Sequence, residues 1–447
     1  MDDLRSWKDN DQGTTAALIE GARRVGKTTV VEAFAKEQYR TSIILDFSKE
    51  PKSILDLFKD GSDLDKFFRT LQLLKQVTLY ERESVIVFDE VQLFPLARQM
   101  IKQLVEDHRY DYIETGSLIS LQKNVKNIRL PSEEHSIKMY PMDFEEWLWA
   151  NEDETSAEML REFFESKEPL GFHAHKAMME KYRTYMVVGG MPQSVDEFLK
   201  SNNLMAVERR KGEIIELYKR DMRKMSETQY ENTIALFEGI PSLLSSRSKR
   251  FSPGKVMKGS RSRSFTKPII WLNDAMISLP CYRCNDPSVT VNLTADRSAC
   301  KLYLLDTGLL FTLAFGSRSP KLNEAIEAII GGKLSINEGM FFENSVAQQM
   351  RSLGYDLFFY TFEIGRSNYE IDFLIPGRKG VIPLEAKSSQ SSSHKSLDLF
   401  RQKYRSQTEG SYVIHTKDLR VDDDGVVYIP IYMSMFLGDG VTARVRD

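Results

Sequence analysis

The sequence predicts an α/β protein made of three consecutive parts. Near the amino terminus, a glycine-rich loop stands between an apolar run and an amphipathic stretch, and a second apolar run ends in two adjacent acids. Near the carboxyl terminus, two strand-like segments carry acids that lie thirteen residues apart. Apolar strands that alternate with helical stretches indicate a parallel sheet with crossover helices. We therefore predict domains over residues 1–150, 151–325 and 326–447.

Length and composition are those of a soluble protein with several domains. The 447 residues exceed what one hydrophobic core usually serves, and 41% apolar with 28% charged residues is ordinary for globular domains. Three cysteines are too few for a disulfide framework, which favours a reducing compartment. The first ten residues lack an apolar signal region, and no apolar run approaches the length of a membrane span. We therefore expect a cytoplasmic protein without membrane contact.

The stretch GARRVGKTTV, residues 21–30, fits the pattern G-x-x-x-x-G-K-[ST] of a phosphate-binding loop. Its glycines let the backbone curl so that successive N–H groups face phosphate oxygens. In this pattern Lys27 reaches the β- and γ-phosphates, and the Thr28 hydroxyl ligates Mg²⁺. A strand, AALIE, precedes the loop, and a helix whose amino terminus favours anions follows it. The predicted nucleotide-binding residues are Gly21, Ala22, Arg23, Arg24, Val25, Gly26, Lys27, Thr28 and Thr29, together with Ser117.

Two further strands support a nucleotide site. SVIVFDEVQ, residues 84–92, is typical of a buried parallel strand and ends in Asp89 and Glu90. A carboxylate there lies where open α/β sheets bind ligands, so we expect Asp89 to hold Mg²⁺ through water. Glu90 is expected to polarise the attacking water. In DYIETGS, either Thr115 or Ser117 is placed to sense the γ-phosphate, and Ser117 would equally serve as a helix cap.

Five segments carry a resemblance to a known family. GARRVGKTT, VIVFDEVQ, IETGSL, KMYPMDFEEWLWA and YMVVGGMPQSV resemble, in this order, the motifs of prokaryotic AAA-type P-loop ATPases with a nuclease-like C-terminal domain. The resemblance runs from about residue 16 to the carboxyl terminus. It implies an AAA-like fold, ATP as the nucleotide and a homo-oligomeric ring, while a monomer or dimer stays open. No arginine-finger motif is identifiable, and the candidates Arg129 and Arg183 could equally be surface arginines.

The middle part combines a helical region with a basic segment. Residues 151–240 have helical patterning that the glycines and proline of VVGGMPQ interrupt. The net charge of −3 identifies no partner, but residues 245–268 hold eight Lys or Arg and no acid. This segment suits the phosphate backbone of DNA or RNA, although a solvated face or an acidic protein partner would also explain it. The segments after it resemble a degenerate winged helix, as the family would have here.

The last part carries acids in a nuclease-like arrangement. A predicted helix holds Glu343, one strand holds Asp372, and the next strand holds Glu385 and Lys387 on the same face. These four residues resemble the PD-(D/E)xK nuclease pattern. Asp372 and Glu385 would hold Mg²⁺, which activates water and stabilises the pentavalent phosphate, while Lys387 positions or deprotonates the water. The alternative is that the domain keeps the nuclease fold without the reaction.

Two functions of different classes follow from these features. The first is an ATPase that couples its nucleotide state to the binding, and possible cleavage, of nucleic acid. The second is a slow nucleotide-dependent switch whose inactive nuclease-like domain recruits a protein partner. A small-molecule kinase is a weaker third reading, because such an enzyme does not need residues 330–447.

Overall fold

The structure, a computed structural model, describes residues 1–60, 63–118, 131–316, 319–333, 338–388 and 394–438. The chain divides into two units, Met1–Tyr140 with Asp274–Met276 and Pro141–Asn273 with Ile277–Asp447. The division into three domains drawn from the sequence stays a prediction. Among the described residues, no helix combines the length and the apolar character needed to cross a lipid bilayer.

The first unit is built on a parallel sheet. Its described strands are β1 (Ala16–Glu20), β2 (Thr41–Asp46), β3 (Ser84–Asp89), β4 (Asp111–Gly116) and β5 (Glu134–Lys138). They lie in the order β2-β3-β4-β1-β5, and every neighbouring pair is parallel. The predicted parallel sheet is therefore confirmed. Because these strands run parallel, the carboxyl ends of β1, β3 and β4 lie at the same edge of the sheet, where such sheets bind ligands.

Helices cover both faces of this sheet. They are α1 (Asp2–Asp11), α2 (Lys27–Gln38), α3 (Lys52–Leu57), α4 (Leu64–Lys75) and α5 (Pro95–Glu106). Val31 and Phe34 of α2 pack in one core with Val85 of β3. The next strand residue, Ile86, belongs to the other core together with Leu104 of α5. Successive strand residues alternate between the two cores, which is why β3 is apolar throughout.

The second unit begins with helices. They are α6 (Phe144–Ala150), α7 (Glu154–Ser166), α8 (Phe172–Val188), α9 (Pro192–Ser201), α10 (Leu204–Met222) and α11 (Glu227–Ser245). The first of them starts at a capping box, in which the Asp143 and Glu146 side chains each accept a hydrogen bond from the other residue's backbone N–H. The predicted helical middle region is confirmed. Later helices are α12 (Pro253–Val256), α13 (Thr266–Asp274), α14 (Thr307–Phe315), α15 (Leu322–Ile330), α16 (Glu338–Ser352) and α17 (Lys395–Lys403).

A mixed sheet completes the second unit. Its described strands are β6 (Ser278–Cys284), β7 (Ala295–Leu304), β8 (Leu357–Ile364), β9 (Ser367–Pro376), β10 (Val381–Lys387), β11 (Tyr412–His415), β12 (Arg420–Val421) and β13 (Val427–Pro430). The order is β12-β13-β11-β10-β9-β8-β6-β7. The antiparallel pair β6–β7, which the sequence analysis assigned to the middle part, joins this sheet through parallel pairing of β6 with β8. The winged-helix likeness stays a prediction.

Candidate nucleotide site and carboxylate cluster

The glycine-rich loop connects β1 to α2 in a backbone form that its glycines allow. Gly26 has φ of +96° and stands directly before the first residue of α2. Arg24 also has a positive φ, of +69°. A Cβ atom on Gly21 would lie 2.6 Å from the Met139 carbonyl oxygen, so no side chain fits there. Val25, within the loop, is buried, and Thr29 lies in the first turn of α2.

Lys27 lies inside this loop. Its ammonium group donates hydrogen bonds to the carbonyl oxygens of Gly21 at 2.9 Å and Ala22 at 3.0 Å. Burial lowers the pKa of Lys27 to about 8, although the carboxylates of Glu90 and Asp89 act in the opposite direction. A phosphate group beside this amine would raise its pKa, because a nearby negative charge favours the charged form. The loop therefore presents a desolvated cation that gains from an anionic ligand.

Asp89, the last residue of β3, is contacted by side chains of α2 and β4. The Thr28 hydroxyl of α2 donates to both Asp89 carboxylate oxygens, at 3.0 and 3.1 Å. The Thr115 hydroxyl at the end of β4 donates to Asp89 Oδ1 as well. Hydroxyl and carboxylate oxygens are the hard ligands that Mg²⁺ prefers. Thr28 and Asp89, the two predicted magnesium ligands, are thus in contact and fit the ion by their chemistry.

Glu90 and Ser117 lie at the ends of neighbouring strands. Glu90 has φ of +55°, and its carboxylate accepts a hydrogen bond from the Gln92 side chain. Ser117 accepts a hydrogen bond at 3.3 Å from Arg23 Nε, which links the end of β4 to the loop. The sequence analysis left Thr115 and Ser117 as alternatives. Thr115 contacts Asp89, whereas Ser117 contacts the phosphate-binding loop.

Two of the eight basic residues in the basic segment, residues 245–268, form ion pairs within the protein. Lys249 forms an ion pair with Glu343, and Arg250 pairs with Glu370 at 2.9 Å. The other six basic residues are exposed, and none has an ion pair within the part of the chain that the structure describes. These six are Arg247, Lys255, Lys258, Arg261, Arg263 and Lys267. The net positive surface of the segment is therefore smaller than its eight basic residues indicate.

Asp372 and Glu385, the predicted metal ligands of the last part, lie on neighbouring antiparallel strands. Asp372 Oδ2 accepts a hydrogen bond at 3.0 Å from the N–H of Ala386, the residue after Glu385. Glu385 is buried, its Oε1 lies 2.5 Å from Lys387 Nζ, and its Oε2 has no partner among the described residues. Burial raises the pKa of Glu385, which the Lys387 ammonium partly offsets. The unpaired buried oxygen beside Asp372 fits a bound cation.

Glu343 is held differently, by cations of the protein itself. Its carboxylate accepts hydrogen bonds from Lys249, from Lys301 at 3.0 Å and from the Tyr303 hydroxyl at 2.7 Å. Although burial acts in the opposite direction, the ammonium groups of Lys301 and Lys249 lower the pKa of Glu343 to about 2. Lys301 also contacts Glu370 at 2.8 Å and Asp372 at 3.7 Å. The structure thus brings Glu343 and Asp372 to one lysine.

Sequence reasoning missed Lys301, Lys249 and Glu370 as members of this cluster. The available signal was a charged residue inside the apolar run KLYLL of β7. In the described residues, no group of three or more His, Cys, Asp or Glu side chains is arranged to hold a metal ion. The assignment of Asp372 and Glu385 as metal ligands stays a prediction, in which water or substrate would complete the shell of the ion.

Comparison with known protein families matches three separate regions. The family of AAA domains matches residues 13–148. These residues form an AAA-type P-loop ATPase domain. The predicted class is confirmed for this region, and the AAA domain contains the whole loop, Asp89, Glu90 and Ser117. Residues 179–319 and 338–433 match two domains of unknown function, DUF8612 and DUF4143.

Comparison with whole proteins adds less. No curated protein matches the chain. Among solved structures, C. elegans PCH-2 is 15% identical over 46% of this chain and 63% of its own, with a TM-score of 0.26. Cdc6p from Pyrobaculum aerophilum is 12% identical over 75% and 94%, with a TM-score of 0.25, and protein VC1899 from Vibrio cholerae is 11% identical over 94% and 96%, with 0.19. The chain spans less than two thirds of the PCH-2 chain. Scores this low support no argument.

Within the AAA domain, one buried acid was not anticipated. Glu114 lies in the middle of β4 and is fully buried beside the Glu134 carboxylate. Arg98 and Glu134 form a bidentate ion pair, at 2.8 and 2.7 Å, and the charges of both residues act on the Glu114 carboxyl group. Burial raises the pKa of Glu114 well above its usual value, and the Glu134 charge adds to this effect. An acid inside the apolar strand YIETG was the only sequence signal.

The two arginine-finger candidates have different outcomes. Arg129 belongs to residues 119–130 of the AAA domain, which lie outside the described residues. Arg183 is on α8 in the second unit, and a Cβ atom on Gly332 would lie 2.7 Å from its guanidinium. Its Nε is buried without a partner in the described part of the chain. The identity of a finger therefore stays a prediction.

Proposed function

We propose that the protein hydrolyses ATP with Mg²⁺ in its AAA domain and couples its nucleotide state to binding of a nucleic-acid backbone. One observation carries the proposal. The Thr28 hydroxyl, the Asp89 carboxylate and the Lys27 ammonium converge at the carboxyl end of the parallel sheet. A hydroxyl, a carboxylate and a desolvated cation at this edge are what a magnesium-bound triphosphate requires.

Each residue has a task in this proposal. Bound Mg²⁺ would neutralise charge on the phosphates, and Thr28 and Asp89 would hold it. Lys27 would exchange the carbonyl oxygens of Gly21 and Ala22 for phosphate oxygens. Glu90, which follows β3 directly, would orient the attacking water. Ser117, or alternatively Thr115, at the end of β4 would respond to the γ-phosphate.

Replacement of Lys27 tests the hydrolysis. Lys27→Ala removes the cation that the loop encloses, and we expect phosphate release from ATP to fall about a hundredfold or more. Lys36→Ala, at an exposed position of the same helix, is the matched control and should keep its turnover. Unchanged turnover in a folded Lys27→Ala preparation would remove the ATPase assignment.

The six exposed basic residues between Arg247 and Lys267 support the nucleic-acid part of the proposal. They have no ion pair within the described residues, so their charges are open to an external anion. Exchange of phosphate counterions for lysine and arginine gives a salt-dependent affinity with little preference for sequence. The segment therefore supports contact with a DNA or RNA backbone.

Cleavage is a second candidate activity, at Asp372 and Glu385. It is supported by the unpartnered Oε2 of Glu385 beside Asp372, with Lys387 at 2.5 Å from the other oxygen. A bound Mg²⁺ would supply Lewis-acid stabilisation of a phosphate and an activated water. Asp372 and Glu385 would hold the ion, and Lys387 would position the water or offset negative charge.

The regulatory switch remains the alternative. In that proposal, ATP binding changes the conformation, and the C-terminal part recruits a protein partner without cleaving nucleic acid. It is supported by the ion pairs that Lys249 and Arg250 form within the protein, because these reduce the charge available to a polyanion. ATP turnover together with no salt-sensitive affinity for DNA or RNA would favour it.

A further inference from the structure

Lys301 is a buried cation at the centre of the carboxylate cluster. It lies on β7, and its side chain has 0% exposure. Its ammonium group lies 3.0 Å from Glu343 Oε1, 2.8 Å from Glu370 Oε1 and 3.7 Å from Asp372 Oδ1. An ammonium group without solvent is stable only when opposite charges and hydrogen bonds surround it. Three carboxylates converge on this one amine.

The space that the Lys301 ammonium occupies between Glu343 and Glu370 cannot also hold a divalent ion. Both oxygens of Glu343 are engaged, one by Lys249 and the other by Lys301 and Tyr303. Glu370 is engaged in the same manner by Lys301 and Arg250. A metal ion among these oxygens would meet a fixed positive charge that has no route to water. Like charges in such close contact inside a protein repel each other strongly.

Among the described residues of this cluster, one position remains for a metal ion. Asp372 Oδ1 lies 3.7 Å from Lys301 Nζ, and Asp372 Oδ2 accepts a hydrogen bond from the Ala386 N–H. Each oxygen keeps a further lone pair that a metal ion can use. Glu385 contributes an oxygen that has no partner among the described residues. Mg²⁺ is commonly held by one or two carboxylates, with water and substrate phosphate as its other ligands. The pair Asp372 and Glu385 therefore suffices for one ion.

We propose that Lys301 takes the place of a second divalent cation, so that the C-terminal site binds one metal ion and uses the buried ammonium as its second positive charge. Lys301 is in this sense a positioning residue: it fixes Asp372 from one side and neutralises Glu343 and Glu370. The inference rests on the proposed metal site at Asp372 and Glu385.

A Mn²⁺ titration followed by electron paramagnetic resonance tests this without any cleavage assay. The full chain is used without nucleotide and with Thr28→Ala and Asp89→Asn, so that the AAA domain contributes no ion. We expect one bound ion, which disappears when Asp372→Asn and Glu385→Gln are added. Lys301→Met should bind the first ion at least about tenfold more tightly and admit a second, because the competing charge is gone. Lys379→Met, an exposed lysine near β10, should leave both number and affinity unchanged.

Several results would overturn the inference. Two ions in the protein with Lys301 intact would do so, and so would an unchanged number and affinity in Lys301→Met. No bound ion at all would overturn it together with the cleavage site, while ATP turnover and backbone binding are measured separately. If Lys301→Met fails to fold, Lys301→Met with Glu343→Gln removes one buried charge of each sign. That variant should still bind the first ion more tightly, and unchanged affinity would count against the inference.

Discussion

Glu385 has one carboxylate oxygen paired with Lys387 and one that is buried without a partner. Glu385→Gln keeps the shape of the side chain but removes the charge that would hold a metal ion. We expect Mg²⁺-dependent cleavage of single- or double-stranded DNA or RNA, where it occurs, to fall about a hundredfold or more. The measurement is strand integrity on denaturing gels.

Glu363→Gln, at an exposed position of β8, is the control and should cleave as the unchanged protein does. Equal cleavage by Glu385→Gln and the unchanged protein would assign the reaction to another site or to a contaminant. Intact strands in every sample, with continued ATP turnover, would leave the C-terminal part a binding domain.

Residues differ in how far sequence alone predicts their contacts. The loop from Gly21 to Thr29 is local, so its residues meet by chain geometry, and the partner Asp89 follows from the rule on strand ends. Lys301 is different, because it meets Glu343, Glu370 and Asp372 only after β6 and β7 join the C-terminal sheet. No local pattern specifies that strand pairing. The sequence therefore predicts the nucleotide site better than the carboxylate cluster.

At the scale of elements, β4 carries a buried acid whose ionisation opposes folding. The folded-state pKa of Glu114 is raised by burial above the unfolded value of about 4.3. Both states bind the proton below that unfolded value, and the stability tied to it is lost as the pH rises toward the folded-state pKa. Glu114→Gln removes this loss. We expect a higher melting temperature than that of the unchanged protein at pH 8.5, by about 2–4 °C for each kcal/mol of relief.

The pH dependence separates this effect from general stabilisation. The gain in Glu114→Gln should shrink as the pH approaches 4.5, because the unfolded state of the unchanged protein then also binds the proton at Glu114. Glu32→Gln, at an exposed position of α2, should show no such trend. Thermal unfolding of the three proteins at several pH values provides the measurement. A gain that is equal at every pH would contradict the assignment of Glu114 as a neutral buried acid.

The order of elements was less predictable than their existence. The apolar strands and the helix after the loop follow from their periodicity, and the parallel sheet follows from their alternation. The position of β4 between β3 and β1 does not, because it depends on packing of the completed sheet. That position matters for function, since it brings Thr115 to Asp89. It also explains why the sequence left Thr115 and Ser117 as alternatives.

At the scale of the whole molecule, coupling between the two proposed ligands must be reciprocal. If ATP changes the affinity for a duplex by some factor, the duplex changes the affinity for ATP by the same factor. Glu90→Gln, which should bind ATP without hydrolysing it, allows both affinities to be measured at equilibrium. We expect duplex binding, followed by fluorescence anisotropy, to differ with and without ATP, and ATP binding to shift equally with the duplex.

The salt dependence of the same measurement identifies the surface. Arg261→Gln, Arg263→Gln and Lys267→Gln together should reduce the slope of log affinity against log salt by up to about 2.7, since each phosphate contact contributes about 0.9. Lys36→Gln, Lys52→Gln and Arg69→Gln remove three exposed charges elsewhere and should leave the slope unchanged. Equal slopes in both triple variants would place the backbone contact outside residues 245–268. If ATP does not change the duplex affinity and the duplex does not change the ATP affinity, hydrolysis is not coupled to nucleic-acid binding. That result would favour the switch that recruits a protein partner.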